Sequence, residues 1–255
     1  MRLHTDDALI LRTYRYGEAD RIIVFLTEDR GKRRGVAKNA SASRRRFGAA
    51  LEPLTRGRVA YVEREGRELV RVDRIEPSVS PMRAAETRGD EAAPQVLATA
   101  AYFAELIDEW APESSPNERL FRLGTSVADA LALDGDLEAL TRYFEYWVLR
   151  LEGVYPSLEA CPRCGHGTFD RGAVFVTTDR AYVCVDCGGS SNRLSAGAVG
   201  FLRSAGRQSP EEAARASGSV EALRELERVH RLLIAVHLEH EVRSARIVKE
   251  LRLDS

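Results

Sequence analysis

The sequence predicts an α+β chain in which a small five-stranded barrel precedes an all-α region carrying a four-cysteine insertion. Three observations predict it. Apolar residues alternate with a period near two up to about Pro77, they recur every three to four residues after Pro81, and all four cysteines fall between Pro156 and Leu194.

Taken in order, alternating or β-rich runs occupy Ala8 to Arg15, Arg21 to Thr27, Arg33 to Lys38, Arg56 to Val62 and Leu69 to Ile75. Turn signals separate them at Tyr16-Gly17-Glu18, Asp29-Arg30-Gly31 and Glu65-Gly66-Arg67. Five short strands suit a closed or partly open barrel, of OB or SH3-like type, and the long gap before the fourth leaves room for a loop or short helix.

Helices are expected near Pro94 to Trp110, Pro116 to Leu133 and Leu137 to Leu151. Ser115-Pro116-Asn117-Glu118 and Ser209-Pro210-Glu211-Glu212 have the form of capping boxes with proline at the first helical position. Val220, Leu223, Leu226, Val229, Leu233 and Val236 give one long terminal helix an apolar stripe. The cysteine segment, with β-like runs at Ala173 to Thr178 and Arg180 to Val185, interrupts this pattern as an insertion. The expected division is a barrel at 1–80, helices at 81–155, the insertion at 156–194 and helices again at 195–255.

Composition is that of a soluble globular protein, 44% hydrophobic and 30% charged. Apolar runs such as Leu232 to Val236 fall far short of the ~18 residues that span a bilayer, so no membrane partner is expected. The first residues lack the pattern of a signal peptide, and the cytoplasm is the expected compartment.

The formal net charge of -1 hides an asymmetry. Residues 1–80 carry 18 Lys plus Arg against 12 Asp plus Glu, or +6; residues 81–255 carry 20 against 27, or -7. A basic front half favours a polyanionic partner. Arg30 to Gly48 concentrates the charge, with eight basic side chains and no acidic one. Since only Lys32, Lys38 and Lys249 are lysine, the location of the charge carries the signal and the preference for arginine does not.

Cys161-Pro-Arg-Cys164 and Cys184-Val-Asp-Cys187 form C-x2-C-x19-C-x2-C. Two such pairs on tight turns, each followed by glycine (Gly165 and Gly188), can set four thiolates tetrahedrally around one zinc ion. Four thiolates close the coordination shell, so the expected zinc is structural, substituting for a core that the short segment lacks. A redox role for Cys161-Pro-Arg-Cys164 is the weaker reading, because no βαβ pattern surrounds it. His166 is expected to be an exposed loop residue.

No catalytic constellation emerges. Glu227-Arg-Val-His230 has the Glu-x-x-His spacing of carboxylate di-metal sites, but the second such motif is missing. His230, His237 and His240 are therefore expected to be solvated on a charged helix face. Phosphate-binding glycine loops and nucleophile elbows are absent from the sequence.

Lys32, Arg33 and Arg34 fall on or beside the third strand, Lys38, Arg44, Arg45 and Arg46 in the loop after it, and Arg56 opens the fourth. On a barrel, strand faces and adjacent loops line a groove, so these eight are the candidate DNA-binding residues. Phe47 stands ready to stack on a base, although core packing is the expected fate of Phe47, Tyr14 and Tyr61 alike. Two other classes remain in view. One is a zinc-dependent nucleic-acid-processing enzyme, the other an interaction scaffold whose basic barrel holds an acidic protein.

The chain also resembles the bacterial RecO recombination mediators. The resemblance rests on Tyr16-Gly17-Glu18-Ala19-Asp20, Leu26-Thr27-Glu28 leading to Gly31, Val36-Ala37-Lys38, Leu51-Glu52-Pro53-Leu54, and Tyr155-Pro156-Ser157-Leu158 directly before Cys161-Pro-Arg-Cys164-Gly165. Asn39 stands where the family pattern usually has glycine. The resemblance implies an N-terminal OB-fold, a helical domain and an inserted zinc ribbon. It implies a non-enzymatic protein of DNA repair that binds single- and double-stranded DNA and anneals complementary strands. With RecR, such a protein loads RecA onto DNA coated by single-strand-binding protein, and it associates with the nucleoid during repair. It also implies that the helical domain receives the acidic, apolar C-terminal tail of the single-strand-binding protein, with Arg224, Arg228, Arg231, Arg243 and Arg246 as candidates.

Overall fold

The structure is a computed structural model and describes residues 1–43, 46–48, 50–167, 169–216, 218–238 and 242–253. By packing, the chain forms two units: Met1–Asp134 together with Val242–Ser255, and Gly135–Glu241.

The first unit opens with strands β1 (Arg2–Tyr16), β2 (Asp20–Thr27), β3 (Gly31–Ala37), β4 (Arg56–Glu63) and β5 (Val70–Val79). They close into a barrel of order β1-β2-β3-β5-β4, with β3 and β5 parallel and β4 returning to β1. This Greek-key order is that of an OB-fold. β1 starts six residues earlier than the alternation suggests, because its first half pairs with β4 from Arg2↔Glu63 to Leu9↔Arg56. A bulge between Ile10 and Arg12 then carries the strand along β2.

Ile10, Ile23, Phe25, Tyr61, Val72 and Ile75 fill the barrel, joined by Phe47 from the long connection after β3. Phe47 and Tyr61 are thus core residues, as expected. The Tyr61 hydroxyl donates to Asp6 Oδ2 at 2.6 Å, and burial together with this bond pushes its pKa up. Asn39 has φ 55°, a left-handed conformation that asparagine tolerates better than most residues, and its N–H donates to Asp20 Oδ1 at 2.8 Å. The position therefore makes the demand that a glycine would meet.

Helices α1 (Pro81–Arg88), α2 (Ala93–Trp110) and α3 (Glu118–Leu131) follow. The α3 cap is Asn117, whose side chain accepts the Leu120 N–H, so the box expected at Ser115 does not form there. The α2–α3 connection runs beside β3: Ser114 N–H donates to Lys32 O at 3.0 Å. Gly31, at φ +67°, faces it so closely that a Cβ would lie 2.0 Å from the Ser115 carbonyl oxygen. Gly31→Ala is expected to lower the thermal midpoint further than Gly66→Ala, where φ is +75° but no atom lies within 4 Å. The second variant isolates the cost of left-handed backbone, about 1–2 kcal/mol; circular-dichroism melting compares the two.

The second unit comprises α4 (Leu137–Leu151), a three-stranded sheet of β6 (Ala173–Val176), β7 (Ala181–Cys184) and β8 (Arg193–Leu194), then α5 (Ala196–Ala205), α6 (Pro210–Ala216) and α7 (Val220–Leu238). Asp136 caps α4 by accepting the Glu138 and Ala139 N–H groups. At α6 the capping box is complete: Ser209 Oγ accepts from Glu212 N–H, and Glu212 Oε2 from Ser209 N–H.

The expected single terminal helix is two. α7 belongs to the second unit, and α8 (Arg243–Leu253) packs on α2 in the first. Glu105 of α2 secures it by accepting the Arg243 and Ser244 N–H groups and the Ser244 hydroxyl. Burial opposes ionisation of Glu105, but these donors hold its pKa below the ordinary value.

Candidate nucleic-acid interface and metal centre

The outward face of β1, β2 and β3 has two halves. Leu9, Leu11, Val24 and Leu26 are buried without belonging to the barrel interior, and Leu9 lies against α3 at Gly124. Over this half, Arg12 reaches Asp108 and Glu109 of α2 at 3.1 and 3.6 Å.

The other half is open. Register sets Tyr14, Ile22, Val36 and Arg71 in one row across four strands, beside Tyr16 and Asp20 in the next. Tyr14 and Tyr16 are 44% and 50% exposed, contrary to the core position expected for Tyr14. Ile22 and Val36 are half-buried between them and the exposed Lys38 and Arg71. Among the described residues, neither cation has a carboxylate within ion-pair distance. Such a face suits an anionic polymer that also carries flat apolar surface.

The sequence-derived basic residues divide by environment. Lys32 is 7% exposed; its ammonium donates to the Asp108 carbonyl at 2.6 Å and pairs with the carboxylates of Asp108 and Glu113. Arg33 bonds Ser114 Oγ and pairs with Glu63, while Arg34 pairs with Glu113 at 2.8 Å. Arg56 pairs with Asp129. Arg46 donates to Lys38 O and Ser43 Oγ and lies 5.0 Å from the Phe47 ring centroid, bracing its own loop. Of the described members, Arg34 and Lys38 are exposed. Arg44 and Arg45 lie outside the described residues.

In the second unit the four cysteines converge, with their sulfurs all within 4.8 Å of one another and Cys164 Sγ 3.7 Å from Cys184 Sγ. Sulfurs set tetrahedrally about a zinc ion at about 2.3 Å would lie about 3.8 Å apart. The donor set and spacing fit that metal. Local backbone builds both knuckles: Gly165 N–H donates to Cys161 O, and the Cys187 and Gly188 N–H groups donate to Cys184 O. Gly165 has φ +72°, and a Cβ on Gly188 would strike Val174. Arg163 ties the knuckles together by donating to Cys187 O and to Asp179. Burial pushes the Cys161 thiol up, but the backbone N–H groups of Cys184, Cys164 and Arg163 outweigh it and bring the pKa to about 6. Hydrogen bonding to Cys184 and Cys164 pushes Cys187 up to about 12. His166 is exposed, as expected.

Beside this centre runs a buried polar chain. Tyr182 of β7 donates to Tyr155 at 3.2 Å, Tyr155 meets His230 Nε2 at 2.9 Å, and His230 Nδ1 meets Glu145 at 2.9 Å. Arg142 closes it, 2.9 Å from the same Glu145 oxygen. His230 is fully buried, overturning its expected solvation; burial lowers its pKa against the pull of Glu145. The neutral ring then accepts the Tyr155 proton at Nε2 and donates to Glu145 at Nδ1, a tautomer that gives both ring nitrogens a partner. A cleft of about 480 Å³ adjoins the chain, lined by Tyr146, Arg150, Leu158, Leu202, Arg203 and Arg207 among others.

Residues 1–80 match the family model described as Recombination protein O N terminal, and residues 93–246 match Recombination protein O C terminal. The chain belongs to the RecO family. Relatives named DNA repair protein RecO include that of Koribacter versatilis, 43% identical over 169 residues and 66% of each chain. That of Pelobacter propionicus is 33% identical over 256 residues, 96% of this chain and 95% of its own. That of Geobacter metallireducens is 38% identical over 162 residues, 62% of each. Membership in RecO places the chain in DNA repair and recombination. No helix among the described residues is long and apolar enough to cross a membrane.

Two features of this RecO chain escaped the sequence reading. Tyr16 shares a face with Tyr14, which the strand alternation showed in principle, but which side of β1 faces outward is set by the bulge at Ile10 and Arg12. The His230 chain joins residues 85 positions apart, and no local pattern marks it.

Proposed function

We propose that the chain is a DNA-binding recombination mediator that works without catalytic turnover. In this reading the barrel, residues 1–80, holds single- and double-stranded DNA, anneals complementary strands and, with RecR, helps load RecA onto single strands coated by single-strand-binding protein. Helices at 81–155 and 195–255 and the ribbon at 156–194 complete the division, with one structural zinc on Cys161, Cys164, Cys184 and Cys187. The cytoplasm, at the nucleoid during repair, is the site of action.

The observation that carries the reading is the open half of the barrel face, where Lys38 and Arg71 border exposed aromatic surface. A cationic platform lowers the repulsion between two phosphate backbones brought together, which is what annealing requires. Arg34 is half exposed beside it and can exchange Glu113 for phosphate. Lys32 supports the face from below by its bonds to α2.

Fluorescence-monitored annealing of complementary oligonucleotides across a salt series tests this. With about five phosphates contacted on a single strand, log affinity should fall against log salt with a slope near -3.5. Lys38→Glu with Arg71→Glu should slow annealing and flatten the slope by roughly 1.4, the share of two contacts. Annealing that ignores both salt and these substitutions would refute the reading.

For the acidic, apolar tail of the single-strand-binding protein, the cleft beside Tyr146 offers the matching chemistry: Arg150, Arg203 and Arg207 for carboxylates, Leu158 and Leu202 for apolar side chains. Arg207→Glu should weaken binding of a labelled tail peptide about tenfold or more, read by fluorescence anisotropy. Of the α8 candidates, Arg246 pairs with Glu250 at 3.4 Å on an exposed helix face.

A further inference from the structure

We infer that Tyr14 and Tyr16 form a two-ring stacking platform by which this barrel selects unpaired bases over duplex. The inference rests on the DNA-binding reading above and names the residues that set its strand preference. Both rings lie on the outer face of β1, two residues apart, and both are about half exposed. In a β-strand that spacing is about 6.7 Å. Neighbouring bases in a duplex strand are about 3.4 Å apart. Bases seated on both rings must therefore separate from one another, which an unpaired strand can do and a paired one cannot. A duplex would present only its phosphates to the face.

The platform is set before any strand arrives. Arg12 Nη1 donates to the Tyr14 hydroxyl at 3.2 Å, while Arg12 Nε is held by Asp108 of α2 at 3.1 Å. The Tyr14 hydroxyl is thus tied through Arg12 to α2. Ile22 and Val36, opposite Tyr14 in register, continue the apolar surface inward, and Arg71 ends the row. Lys38 stands one residue beyond β3. A nucleic-acid strand running along β1 would set its bases on the two rings and turn its phosphates toward Lys38 and Arg71 across the sheet. Asp20, opposite Tyr16, is half-buried and turned to the Asn39 N–H, which neutralises part of its repulsion toward phosphate.

The test uses the full chain with a labelled oligothymidine, the same oligomer with abasic sites in place of bases, and a duplex of equal length, all read by fluorescence anisotropy. Stacking is worth a factor of about ten for each base. Tyr14→Ala with Tyr16→Ala should weaken oligothymidine binding roughly 100-fold and leave duplex binding within about twofold. Tyr14→Phe with Tyr16→Phe keeps both rings and loses only the Arg12 bond to Tyr14, so it should retain oligothymidine binding to within a few-fold. The salt slope should stay the same in all of them, since no phosphate contact is lost.

The abasic oligomer asks the same question without substitution: the unaltered protein should bind it as weakly as the alanine variant binds oligothymidine. Equal affinity for abasic and intact strands, or an equal loss on single strand and duplex, would overturn the platform while leaving DNA binding in place. An unaltered protein that binds none of the three would overturn the DNA-binding reading itself.

Discussion

Cys161→Ser is expected to abolish metal retention and to lower the thermal midpoint of the protein by about 10 °C or more. The cause is local. β6, β7 and β8 are four, four and two residues long, and a sheet of that size does not stand alone. Metal binding at the four sulfurs is then folding free energy for the whole hairpin. Chelation of the unaltered protein should reproduce the effect, and returning zinc should reverse it for the unaltered chain alone. Metal content by mass spectrometry, paired with circular-dichroism melting, measures both. Because the barrel core at Ile10, Phe25 and Phe47 contains none of these residues, duplex binding should survive the loss. A serine variant that melts with the unaltered protein would show the cysteines to be dispensable.

Glu145→Ala is expected to cost about 3–5 kcal/mol, because it leaves the Arg142 guanidinium buried without its partner and His230 without its acceptor. Glu145→Gln, which keeps the shape and loses the charge, should fall between the two proteins. The same chain gives stability a pH dependence whose sign follows from His230. Burial lowers its pKa below 6.5, so in acid the unfolded chain takes up a proton that the folded ring refuses. Above about pH 6.5 both states are neutral there and the term vanishes; below it stability falls until the folded pKa is reached. His230→Gln should remove that acid limb. Thermal midpoints between pH 5 and 8, compared for the two proteins, isolate the contribution.

What could be read from the sequence was whatever is decided locally. Period-two alternation located all five barrel strands, and the paired Cys-x-x-Cys spacing located the metal centre, since each knuckle closes within four or five residues. The first half of β1 was missed because Arg2, His4, Thr5, Asp6 and Asp7 offer no alternation, and its pairing partner lies more than fifty residues away in β4. The OB order could not be told from an SH3-like one by strand count, because it depends on β5 lying between β3 and β4. Lys32 looked like a phosphate contact in a basic run. Its acidic partner Asp108 sits 76 residues along, on a helix whose docking no pattern near Lys32 announces. The long apolar stripe from Val220 onward gave no sign that α7 and α8 serve different units.

That return of α8 to α2 has a bearing on how the protein is made. The Arg243–Leu253 segment is synthesised more than a hundred residues after Glu105, which receives it. At roughly 5–20 residues per second, the nascent barrel and its three helices wait on the order of 6–24 s with one flank of α2 uncovered. Until α8 arrives, the part of α2 that it covers stays exposed to water.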